Sequence, residues 1–111
     1  MSYQHKIVSV ENDVLIVAVE GWGDGYILWQ RGLTEEAGSE HGIYFECDDQ
    51  FNGGFNCVEE CLVTSDGIHV SLANGKLAHF YFIKGFDKFV ELKSGLMQIY
   101  EGHEDVLEFT L

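Results

Sequence analysis

The 111-residue chain carries 19 Asp and Glu against six Lys and Arg, a formal net charge of −13, with 46% hydrophobic and 14% aromatic residues. That surplus repels nucleic acids, phosphates and anionic membranes at ordinary salt, and it draws in basic proteins over a Debye length of about 8 Å. The apolar and aromatic content excludes a disordered acidic tail, and the length fits one compact domain, residues 1–111, around a single core.

No apolar run reaches the about 18 residues of a membrane span, and no basic-then-apolar leader opens the chain, so neither a span nor a signal peptide is expected. Cys47, Cys57 and Cys61 are an odd number without the spacing of a disulfide framework. They fit a reducing cytoplasm, with thiols used as small hydrophobes.

Taken in chain order, Ile7, Val8 and Val10 open a first strand, and Asn12 and Asp13 supply a tight hairpin turn. Val14 to Val19 is a continuous apolar run, which predicts a central strand covered on both faces. Glu20 to Gly25 contains three glycines and places Trp22 on a loop before the apolar stretch Tyr26–Trp29. An acidic loop with Glu35, Glu36 and Glu40 follows. Ile43, Phe45 and Cys47 then alternate with Tyr44, Glu46 and Asp48 as a one-faced strand.

Asp49 to Gly54 is rich in turn residues, Phe55 to Thr64 resumes extended character, and Ser65-Asp66-Gly67 marks the next reversal. Ile68, Val70 and Leu72 form a strand, Asn74-Gly75 a turn, and Leu77 to Ile83 a strand expected to be buried on both faces. The period then changes to three and four residues at Phe86, Phe89, Val90, Lys93, Leu96, Met97 and Tyr100. That spacing predicts one amphipathic helix over about 87–100, with Asp87 as its N-cap. Val106 to Leu111 reads as a last strand, 106–110. The fold class is therefore α+β, a mostly antiparallel β-sheet packed against one C-terminal helix.

Several groupings could carry chemistry. Cys57, Cys61, His69 and His79 are the residue types of a structural zinc site, but two cysteines four apart on one strand lie about 13 Å apart, too far for shared coordination. A cysteine nucleophile would lack activation, because Glu46, Asp48, Glu59 and Glu60 raise a neighbouring thiol pKa. Glu46, Asp48 and Asp49 fall short of a calcium loop, since strand alternation points successive side chains to opposite faces. The Gly21-Gly23-Gly25 and Gly53-Gly54 clusters have no lysine or helix start beside them and read as turns, not phosphate cradles. No catalytic residue, metal ligand or cofactor is assigned.

The segments Gly25 to Arg31, Gly42 to Glu46 and Asp49 to Gly54 together resemble the immunity protein 10 family of bacterial polymorphic toxin systems. The resemblance covers residues 3 to 100, with Glu101 to Leu111 an addition to the family's helix-terminated pattern and Trp29 larger than the usual aliphatic residue there. It implies a small cytoplasmic protein that binds and neutralises the toxin domain of a cognate secreted or contact-delivered effector. The expected partner is a basic protein, a nuclease being one such class, with no direct nucleic-acid or membrane binding.

On this reading Trp22, Asp24, Glu46, Asp48 and Asp49 form the binding face, with aromatic anchoring and electrostatic steering in place of turnover. Gln30 and Arg31 match the family pattern, and Arg31 is expected to close the acidic loop by a local salt bridge. Two other classes compete with this one. They are a small metal-dependent hydrolase built on Glu46, Asp48 and histidines, and a self-associating subunit joined through the edge at 106–110.

Overall fold

The computed structural model describes residues 7–111, so residues 3–6 of the family resemblance lie outside the described residues. Among the described residues, nine strands and one α-helix follow the α+β expectation, and the strands divide between two sheets. The first is an antiparallel meander of β1 (Val8–Glu11), β2 (Val14–Glu20), β3 (Tyr26–Gly32), β4 (Ile43–Cys47) and β5 (Phe51–Phe55). Asn12 and Asp13 take φ of 50° and 62°, the left-handed pair a two-residue hairpin needs. This turn sets the register Glu11 opposite Val14.

The second sheet has the order β8-β7-β6-β9, built from β6 (Val58–Thr64), β7 (Gly67–Leu72), β8 (Leu77–Tyr81) and β9 (Leu107–Thr110). Strand β9 pairs parallel to β6, Cys61 facing Leu107 and Val63 facing Phe109. The extended stretch expected over 55–64 is interrupted at Asn56 and Cys57, where the chain crosses from one sheet to the other. Asn56 makes that break by turning its amide back onto β4: its Oδ1 accepts from the Ile43 N–H at 3.0 Å and its Nδ2 donates to the His41 carbonyl at 3.2 Å.

Both sheets bury one face into a single continuous core. Leu15, Val17, Val19, Ile27, Trp29, Phe45 and Cys47 contribute from the first, and Cys61, Val63, Ile68, Val70, Ala78 and Phe80 from the second. The runs expected to be covered on both faces are covered on one. Ile16 and Ala18 on β2 stay half-buried, and Leu77, His79 and Tyr81 on β8 are exposed. Trp29 is fully buried, its ring 5.4 Å from that of Phe45, which in turn stacks on Phe51. Burying about 200 Å² of indole at about 25 cal/mol per Å² stabilises the fold by roughly 5 kcal/mol.

Helix α1 (Phe89–Ile99) lies against β1, β2 and β3. Its buried face is Leu92, Gly95, Leu96 and Ile99, whereas Val90 is 79% exposed and Lys93 reaches out over the Phe109 ring. The face is turned from the expected stripe because of Gly95. A Cβ there would sit 2.5 Å from Val8 and 3.0 Å from Val17, so only glycine lets the helix approach the sheet this closely. Lys88 stands at the N-cap position in place of the expected Asp87, and no side chain caps that end. At the other end Arg31 donates to the carbonyls of Ile99 and Glu101, both at 2.9 Å. That role replaces the expected salt bridge to the acidic loop, because the last turn of a helix presents unpaired carbonyls to a cation.

Candidate docking site

The candidate site is built where two turns at one end of the first sheet lie side by side. Between β2 and β3, the Gly21 N–H donates to the Gly25 carbonyl at 2.8 Å and the Gly25 N–H to the Trp22 carbonyl at 2.9 Å. Gly23 at the tip takes φ +59°. The loop closes on its own backbone, and the Trp22 residue stands 70% exposed.

The second turn follows β4. Asp48 takes φ +29°, and its N–H donates to the Tyr26 carbonyl at 3.0 Å, which fastens this turn to the start of β3. The left-handed backbone re-aims Asp48 out of strict strand alternation. Asp24, Gly25, Tyr26, Asp48, Asp49 and Asn52 thereby line one open depression of about 560 Å³. Three carboxylates and no cation line it.

Glu46 sits on the outer face of β4, diagonally across from Tyr26, since Leu28 is its direct partner on β3. The Tyr26 hydroxyl donates to Glu46 Oε2 at 2.6 Å, and the Tyr44 hydroxyl to Oε1 at 3.4 Å. The bond to Glu46, then desolvation and the surrounding negative charge, push the Tyr26 phenol up to about 12. Desolvation, followed by Glu46, raises Tyr44 as well. Glu46 is thus an oriented carboxylate on an aromatic bed, with the Phe55 ring 5.3 Å from Tyr44 and Phe55 itself 55% exposed.

Of the five residues expected on the binding face, Asp24, Asp48 and Asp49 line the depression. Trp22 stands in the same loop as Asp24, and Glu46 joins them through Tyr26. Tyr26, Tyr44 and Asn52 were not among those expected. The signal for the tyrosines was parity: 26, 28, 44 and 46 share the outer face once β3 and β4 pair as they do. Phe51, by contrast, is half-buried against Phe45 and serves the core.

The other groupings come apart. Cys61 is buried on the inner face of the second sheet and Cys57 lies at the crossover, whereas His69 and His79 stand on the outer face of β7 and β8. Burial pushes the Cys47 and Cys61 thiols up to about 12, with Asp48 and Asp49 adding to the shift at Cys47. Among the described residues no three His, Cys, Asp or Glu side chains gather as a metal-holding group. No described helix is long and apolar enough to cross a membrane. What the depression offers is a fixed array of acceptors for cationic or hydrogen-bond-donating side chains. Set against family models, curated proteins and solved structures, the chain matches none.

Proposed function

We propose that this chain is a stoichiometric binding protein of the immunity type, which docks on a basic toxin domain and neutralises it without turnover. The carrying observation is the convergence of Asp24, Asp48 and Asp49 on one depression, beside the Glu46 that Tyr26 and Tyr44 hold, with Trp22 exposed in the adjoining loop. The resemblance to the immunity protein 10 family and the net charge of −13 support the same reading. Long-range charge accelerates encounter with a basic surface, and an exposed tryptophan in the loop adjoining the acceptors supplies the anchor that slows dissociation. The cytoplasm of the producing cell is where such a protein would act.

The test is binding to the C-terminal domain of the effector encoded next to this gene, measured by calorimetry and by light scattering after gel filtration. A 1:1 complex is expected, weakened as salt rises. Trp22→Ala or Asp24→Lys should lower affinity at least tenfold without altering the melting temperature. Full affinity in both variants would displace the site, and absence of a complex with any adjacent effector domain would sink the function.

A further inference from the structure

The outer face of the second sheet carries a feature the docking reading does not use. His69 on β7 and His79 on β8 are directly opposed. Both the N–H and the carbonyl of His79 turn away from β7, toward the side chain of Gln50: the N–H donates to Gln50 Oε1 at 2.9 Å and the carbonyl accepts from Nε2 at 2.7 Å. His69 and His79 therefore form a non-hydrogen-bonded pair, the kind in which facing side chains come closest, with Cα atoms about 4.5 Å apart instead of about 5.5 Å. Their Nδ1 atoms stand 2.8 Å apart and their ring centroids 5.1 Å apart, so the rings meet corner to corner.

Two lone pairs cannot face each other at that distance, and one proton must lie between them. Asp66 Oδ1 is 3.6 Å from His69 Nε2, which favours the proton of His69 on that nitrogen. His79 Nδ1–H then donates to His69 Nδ1. The Thr64 hydroxyl, and then His69, hold the Asp66 carboxyl below its ordinary range.

We propose that His69 and His79 form a binding site for a divalent transition-metal ion, Cu(II) or Ni(II) ahead of Zn(II). The ion takes the place of the bridging proton. The bridging proton passes through water from Nδ1 to Nε2 of His79, and rotation of that exposed ring brings its freed Nδ1 lone pair to converge with that of His69 on the ion. With metal–nitrogen bonds of about 2.0 Å, adjacent positions of a square-planar ion lie about 2.8 Å apart, and those of a tetrahedral ion about 3.3 Å. The close approach of the two nitrogens shows that both can reach one ion, and the preference for Cu(II) and Ni(II) follows from their higher intrinsic affinity for nitrogen ligands.

The surroundings suit a cation. A pocket of about 220 Å³ around the pair is also lined by Glu60, Leu62, Ser71 and Leu77, with no Lys or Arg, and it leaves room for water ligands. Asp66 orients His69 from behind, as carboxylates do behind metal-bound imidazoles. None of these lining residues belongs to the acidic depression, so the site stands whether or not the docking reading does.

The test is calorimetric titration of the purified 111-residue protein with Ni(II), then with Zn(II), alongside His69→Ala, His79→Ala and a control, His41→Ala. His79→Gln serves as a second, polar variant, and circular dichroism checks that each remains folded. The expected result is saturable Ni(II) binding, tighter than Zn(II), that weakens tenfold or more in every His69 and His79 variant and stays within twofold in His41→Ala. No Ni(II) binding by the parent protein, or unchanged binding in the His69 and His79 variants, overturns the site. Zinc binding tighter than nickel overturns the stated order of preference.

Discussion

In the first sheet every strand pairs with its neighbour in sequence, through turns as short as Asn12-Asp13, whereas the second sheet is completed by β9, which arrives only after the helix and lies parallel to β6. The first can set each register from a local turn. The second gains its last strand only by closing the long stretch of chain that holds β7, β8 and α1, since β9 pairs with β6 alone. Local chemistry thus specifies one half of the molecule, and the closing of a long loop specifies the other. The two halves nonetheless share one core, and Arg31 on β3 reaches the carbonyls at the end of the helix that delivers β9.

The strongest way to break this contrast is through the shared core. Trp29→Ala should cost about 3–5 kcal/mol, read from urea denaturation, and both sheets should unfold in a single transition. Two resolved transitions would show that the sheets fold as separate units. Arg31→Met is expected to cost about 1.5–3 kcal/mol, since charge-assisted bonds to one part-buried and one exposed carbonyl disappear while the aliphatic stem remains. Hydrogen exchange in that variant should rise in β9 before it rises in β2.

The smallest effect concerns the seam between the sheets. With a thiol reagent under native conditions, Cys57 at the crossover should react first, and Cys47 and Cys61 only on the timescale of unfolding. The latter two are buried with thiol pKa values of about 12, while Cys57 is half-buried. Equal rates for all three would mean that the core opens readily.

The same contrast explains what the sequence revealed. Alternation, the Asn12-Asp13 turn and the change of period near residue 87 were enough for the strands other than β5, the helix and the α+β class. Strand β5 was hidden by Gly53 and Gly54, which read as turn residues, yet Gly54 pairs with Phe45 on β4 and Gly53 falls at the register shift beside it. The buried face of α1 was hidden because Gly95 carries no hydrophobicity of its own; what it offers is the absence of a side chain where Val8 and Val17 press in. The acidic turns at Asp24 and Asp48-Asp49 were visible as charge, but not their adjacency, which rests on the bond from Asp48 to Tyr26 across two strands. The Tyr26–Glu46 and His69–His79 pairs needed cross-strand register, and no local pattern encodes that.

Gln50 has a consequence for solubility. Strand β8 ends its sheet, and an open strand of this kind is a template on which a second molecule can add its own backbone and begin a fibril. The carboxamide of Gln50 presents an N–H and a carbonyl side by side, as one residue of a neighbouring strand would, and both are engaged at His79. A single side chain thereby acts as a decoy strand, blocking polymerisation at the centre of an otherwise available edge.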